Sequence, residues 1–160
     1  MEDFNTELAF NRLKSGEPEE RAEAIKILGA AAYAPAVPLL AELVEDSDPG
    51  TRYLAAMALS KIGDEAESAV SSLLIALRAD DMFLRVATIS ALIAIGVPAV
   101  PGLIRALFDE NAAVRRASAK ALGKIGCKDA INPLKVAVND TDAGAKRLAE
   151  EALARLQSLA

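Results

Sequence analysis

Residues 46–63 read DSDPGTRYLAAMALSKIG. Asp48 followed by Pro49 marks a helix start, because the carboxylate accepts from a first-turn N–H and the proline lacks only a hydrogen bond that the first turn never makes. Counting from Arg52, small or apolar residues fall three, four, seven and ten positions on, at Ala55, Ala56, Leu59 and Ile62. They form one helical stripe, and Gly63 then supplies a C-terminal stop. The stretch therefore predicts one amphipathic helix between Asp48 and Gly63.

The same grammar returns along the whole chain. An Arg with a Leu seven positions later recurs as Arg21/Leu28, Arg52/Leu59, Arg85/Leu92 and Arg115/Leu122, with Lys146/Leu153 as a fifth copy, at spacings of 31, 33, 30 and 31. Cap candidates stand four residues before each cation: Glu17, Asp48, Asp81, Asn111 and Asp142, of which Glu17 is the poor one. Gly96 and Gly126 repeat the stop of Gly63, and Ala32 replaces it in the first copy. A shorter apolar stretch follows each stop, over 37–45, 69–78, 100–108 and 131–138, with Pro35, Pro38, Pro98, Pro101 and Pro133 at its entrance. Residues 3–14, carrying Phe4, Leu8 and Leu13, make the matching helix of the first unit.

A period near thirty residues means stacked units that bury their faces against each other. The fold expected is all-α, an α-solenoid of five helix pairs (about ten helices) in one domain over 1–160. Its units run about 1–32, 33–63, 64–96, 97–126 and 127–158. Alanine three and six positions after the Arg lets neighbouring helices approach closely. Glu150 stands where other units have Ala or Ile, so the last helix is expected to be a polar cap that completes the array.

Composition removes many functions. The chain of 160 residues is 52% hydrophobic with six aromatics and no Trp, so its apolar content is Ala, Leu, Val and Ile, the residues of helix–helix packing. Without histidine there is no Ser-His-Asp or Cys-His catalysis, no His-ligated zinc and no two-His iron site. No catalytic constellation of carboxylates, Lys or Arg emerges either, and no metal or cofactor is expected. A net charge of −5 argues against nucleic acid, and no apolar run approaches the roughly 18 residues of a membrane span. The acidic start MEDFNTE is unlike a secretory signal, and a lone cysteine suits a reducing compartment, so a cytoplasmic setting is expected. Cys127 beside Lys128 reads either as an activated thiol or as an incidental small residue. Tyr33 is expected to pack against the first unit.

Residues 109–126, DENAAVRRASAKALGKIG, resemble HEAT-like repeats of the short, armadillo-like kind found in the phycobilisome lyase family, and the resemblance extends over about residues 15–158. It implies a right-handed solenoid. It also implies an ion-pair ladder between units, in which Asp46, Asp109 and Asp140 supply the acids and Arg21, Arg52, Arg85 and Arg115 the bases. Ser15 and Ala79 break the acidic series, and the gap at Ala79 closes only if Asp80 slips by one residue. On this reading Arg85 matters more to stability than a surface cation such as Arg78.

In HEAT-like arrays the second helix of each pair lines a concave groove, which implies that positions one, five and eight after the Arg face it. The middle units place Tyr53, Met57, Val86, Ser90 and Ile93 there. The last two place Arg116, Lys120 and Arg147, with Lys124 nearby, and Gly29 and Gly123 share the eighth position. The apolar residues face a neighbouring helix instead if the assignment shifts by one position, and the cations alone equally describe a solvated face. Net charge runs −7, −1 and +3 over 1–50, 51–100 and 101–160, which orients a partner with its acidic surface toward the C-terminal end. The function expected is a non-enzymatic protein–protein interaction scaffold. The alternative implied by the resemblance is a bilin lyase subunit or another tetrapyrrole-handling factor, with bilin propionates on the Lys and Arg residues.

Overall fold

The computed structural model describes residues 2–15 and 17–159, except the side chains of 2–4 and 15. The side chains of Phe4 and Ser15 thus lie outside the described residues. Ten α-helices follow one another in that span: α1 (Glu2–Ser15), α2 (Pro18–Ala30), α3 (Val37–Leu43), α4 (Pro49–Ile62), α5 (Val70–Ala76), α6 (Met82–Ile95), α7 (Val100–Ala106), α8 (Ala112–Ile125), α9 (Ile131–Ala137) and α10 (Ala143–Ser158). Each even-numbered helix holds one Arg–Leu or Lys–Leu pair, and each odd-numbered one packs against the even helix that follows it.

Capping residues and stops set these lengths. The side chains of Asp48, Asp81, Asn111 and Asp142 accept from Thr51 (2.7 Å), Leu84 (3.0 Å), Ala113 (2.9 Å) and Ala145 (2.8 Å), whereas Glu17 makes no such bond. Gly63, Gly96 and Gly126 have φ of 76°, 80° and 81°, and Ala32, in the equivalent place, has φ of 48°. An L-residue there is strained, since its Cβ crowds the backbone.

The link from odd to even helix is five residues in every unit from α3 onward: 44–48, 77–81, 107–111 and 138–142. From α4 onward the variation in spacing lies in the other link. The 33-residue spacing arises from a 3-10 segment at Gly63–Ala69, kinked at Ala66, where the units after it have three residues, Val97–Ala99 and Lys128–Ala130. A constant odd-to-even link keeps the cap and the Arg in one geometry throughout the array.

Leu28, Leu59, Leu92 and Leu122 are wholly buried, as are Leu40, Leu73, Leu103 and Leu134 on the odd helices. Each such side chain contributes about 2 kcal/mol of burial. Leu153, with no unit stacked beyond it among the described residues, is half-buried, and Glu150 is exposed. Tyr33 packs edge-on against Phe10 of α1, with ring centres 5.7 Å apart. The even helices pack intimately in the order α2, α4, α6, α8, α10, while α3 with α5 and α5 with α7 touch lightly. The face that the even helices share is therefore the candidate inner wall that the likeness to HEAT-like arrays implies. No single helix among the described residues is long and apolar enough to cross a membrane.

Candidate partner-binding surface

The recurrent Arg first serves its own unit. Arg52 Nη1 donates to the carbonyls of Asp46 (3.0 Å) and Ser47 (3.3 Å), and Arg115 Nη1 to those of Asp109 (2.8 Å) and Glu110 (3.0 Å). Arg85 reaches the carbonyls of Leu77 (3.3 Å) and Ala79 (2.7 Å). These carbonyls end the preceding odd helix or its link, where the helix dipole is negative and acceptors lack partners. The guanidinium therefore clamps one helix of the pair to the other. The Asp six residues earlier shapes the same link: Asp46, Asp109 and Asp140 each accept from the backbone N–H two residues on, at 2.8, 2.9 and 2.8 Å.

Between units the ladder is uneven. Arg115 forms a bidentate pair with Asp140 of the next unit, Nε–Oδ2 2.6 Å and Nη2–Oδ1 2.9 Å, with both side chains largely buried. Arg52 reaches only Asp81, at 3.9 Å, and Asp109 pairs with Arg78 at 2.5 Å. Asp109 thus pairs across units with Arg78 and not with one of the four recurrent arginines, and Arg78, exposed as expected, is nonetheless engaged. Asp80 does not slip into the ladder, because the link is the same length as elsewhere and its side chain points to solvent. Arg21 Nε is buried without a hydrogen-bond partner among the described residues, and the Arg21 charge helps to lower the Asp48 carboxyl, which Thr51 N–H lowers most. Arg115 holds Asp140 below the ordinary carboxyl range, and Asp140 in turn raises the Arg115 guanidinium.

On the inner wall the middle units are apolar. Tyr53 is 38% exposed, Val86 56%, and Met57 half-buried. Met82 and Phe83, in the first turn of α6, are 66% and 70% exposed. Phe83, Val86 and Ser90 share one face, being three and then four residues apart. The places of Met82 and Phe83 are filled by Pro49 and Gly50 in α4, by Ala112 and Ala113 in α8, and by Ala143 and Gly144 in α10. Sequence reasoning counted forward from the Arg and missed both. Their apolar bulk at a first-turn position where every later unit is small was the available signal.

The eighth position lies on the floor between neighbouring even helices and does not project a side chain into the groove. Gly29 and Gly123 are buried, and a Cβ on either would lie 2.8 Å from Ala58 or Ala152 of the next even helix. Ile93 is half-buried against the core for the same reason, and Ser60 is half-buried too. The ninth position is the open one, with Lys61, Ala94, Lys124 and Arg155 all exposed.

Two of the cations assigned to the wall are already engaged. Arg116 donates from Nε (2.7 Å) and Nη2 (2.5 Å) to Asp142, and its side chain lies across Gly144, where a Cβ would meet Nε at 2.8 Å. Asp142 also caps α10, and Arg116 is the first cause of its strongly lowered carboxyl pKa. Arg147 pairs with Glu151 at 2.6 Å. Lys120, Lys124 and Arg155 enter no ion pair among the described residues. They line a depression of ≈ 260 Å³ between α8 and α10, floored by Gly123, Leu148 and Ala152. A matching depression of ≈ 240 Å³ between α2 and α4 holds Lys26, Tyr53, Met57 and Lys61 over Gly29 and Ala58. The wall is thus apolar in the middle, with the larger group of unpaired cations toward α10, and Cys127 stands half-buried at a turn.

Comparison with known proteins agrees with this architecture. The family model for HEAT repeats matches residues 6–92 and again 70–154. A phycocyanin operon protein Z of uncharacterised role from Pseudanabaena tenuis is 32% identical over 94% of this chain and 81% of its own length. The complex of CpcE and CpcF of phycocyanin lyase from Nostoc sp. PCC7120 superposes with a TM-score of 0.66 at 26% identity, covering 96% of this chain and 65% of that one. An archaeal HEAT-like repeats protein from Thermococcus onnurineus NA1 shares the fold at 12% identity, with a TM-score of 0.68 over 96% of this chain and 70% of that one. With the repeat model matching nearly end to end and a relative at 32% identity across the array, the chain belongs to the HEAT-repeat family.

Proposed function

We propose that the protein is a non-enzymatic scaffold that holds another protein against its inner wall, with the acidic part of that partner toward α8 and α10. The observation that carries this reading is the exposed group Met82, Phe83 and Val86 on a helix whose opposite face is wholly buried. Large apolar side chains clustered in water mark an interaction surface, and aromatic and Met residues beside cations are the composition of interface cores. The CpcE–CpcF complex supports it, since a HEAT-like relative there assembles with another chain. A lone cysteine, which can form no internal disulfide, fits a reducing, cytoplasmic setting.

The test is affinity capture from the native extract. Phe83→Ser with Val86→Asp, and separately Lys120→Glu with Lys124→Glu, abolish capture while leaving the circular dichroism unchanged. Ile75→Ser with Val136→Ser, on exposed sites of the odd helices, leaves capture intact. Capture lost only with the odd-helix pair refutes the reading. Arg116 is unsuitable for charge reversal, because a Glu there would face Asp142.

A second reading has a specific observation behind it: the relative named for a phycocyanin operon and the likeness to the phycocyanin lyase complex. On that reading the chain is a lyase subunit or pigment-handling factor, with an open-chain tetrapyrrole on the apolar stripe and its propionates on Lys120 and Lys124. A shift in the visible spectrum of phycocyanobilin on mixing with the protein supports it, and an unchanged spectrum removes it.

A further inference from the structure

We infer that the occupant of the inner wall is a single amphipathic α-helix with an acidic end, lying across the even helices from α4 to α10. This rests on the scaffold reading and adds what kind of segment is held. The wall divides along the array, not across it. Tyr53, Met82, Phe83 and Val86 belong to α4 and α6, and Lys120, Lys124 and Arg155 belong to α8 and α10. A segment running along the array therefore needs apolar side chains on one stretch and carboxylates on the next.

Span sets the length. Three steps between neighbouring even helices, at 8–10 Å each, cover roughly 24–30 Å, which a helix crosses in about 16–20 residues. Shape selects a helix over an extended strand. The wall offers rounded helix surfaces with depressions between them, and among the described residues it presents no strand edge whose N–H and C=O groups would pair with an extended segment. Charge fixes direction. The depression between α8 and α10 contains three cations and one acid, Glu151, which itself bonds Arg147. Acidic side chains there meet three unpaired ammonium and guanidinium groups, whereas the depression between α2 and α4 offers Lys61 as its one cation outside an ion pair among the described residues, Lys26 being paired with Glu23 at 3.4 Å.

The experiment uses the full chain and a fluorescein-labelled peptide of about 18 residues, with Leu at helical spacing in its first half and Glu through its last two turns. Anisotropy is expected to show saturable binding. Affinity falls at least about tenfold when the Glu residues become Lys, when two prolines break the helix, or when the protein carries Lys120→Glu/Lys124→Glu or Phe83→Ser/Val86→Asp. Absence of saturable binding, or equal affinity of the proline-broken peptide, overturns the helix. So does a free protein that sediments as a dimer dissociated by the same wall substitutions, because the occupant is then a second copy. If capture from extract depends on the wall while the peptide fails, the scaffold reading stands and the helix alone is wrong. If capture ignores the wall, both fall.

Discussion

The third unit, α5 and α6, and the fourth, α7 and α8, share one frame and use it differently. In the fourth, Arg115 clamps two carbonyls and pairs with Asp140, Ser118 donates its hydroxyl to the Val114 carbonyl (2.8 Å), and Gly123 admits the next helix. In the third, Ala79 replaces the link Asp and, among the described residues, Arg85 bonds only backbone carbonyls and the buried Thr88 hydroxyl has no partner. Yet the third unit carries the most exposed apolar side chains of the inner wall, Met82 and Phe83. Of these two units, the one whose frame is less well satisfied carries the surface less suited to water. That combination is what a site held for a partner looks like, since function is retained against stability.

Transplanting residues between the two units breaks the comparison most sharply. Gly123→Ile, which copies Ile93 into the fourth unit, forces a branched side chain against Ala152 and costs about 3 kcal/mol or more by urea denaturation. The clamps come next. Arg115→Ala is expected to cost about 2 kcal/mol, since it removes both the carbonyl bonds and the bidentate partner of Asp140, and Arg85→Ala about 1 kcal/mol, with only carbonyl bonds lost. Equal losses would show that the rung to Asp140 contributes nothing.

Acid separates the units by another route. Asp140 and Asp142 have folded pKa values below the ordinary 3.8, so the stability they contribute is complete above that value and is lost as pH falls through the lower, folded pKa. The junction of α8 with α10 should therefore loosen below about pH 4, and fluorescence of a probe at Cys127 reports it. Arg115→Ala should flatten that acid dependence; an unchanged profile would remove Asp140 as its source. The smallest effect has the opposite sign. Thr88→Val removes an unpaired buried hydroxyl at nearly constant shape and raises stability by about 1 kcal/mol, while Ser118→Ala stays within about 0.5 kcal/mol.

Most of the fold was legible because its determinants are local. Caps at Asp48 and Asp142, stops at Gly63 and Gly96, and the leucine seven after each Arg depend only on neighbours in the chain. The wall was partly legible for the same reason, through Tyr53, Val86 and Lys120. What escaped depends on distances between units. Whether position eight or nine opens to solvent follows from how closely α2 approaches α4 at Gly29, which periodicity within one helix does not contain. The pairing of Asp109 with Arg78 is likewise a matter of reach across a gap that Ala79 leaves. Arg116 read as a free cation because its partner, Asp142, lies 26 residues away and was already assigned as a cap.

The most direct test places the photo-crosslinker p-benzoylphenylalanine at position 83 on the inner wall and, in a second protein, at position 75 on an odd helix, and illuminates both in native extract. A discrete adduct from position 83 and none from position 75 is the predicted result. An adduct from position 75 alone would contradict the account, because the partner would then sit on the outer helices and the apolar wall would have no occupant.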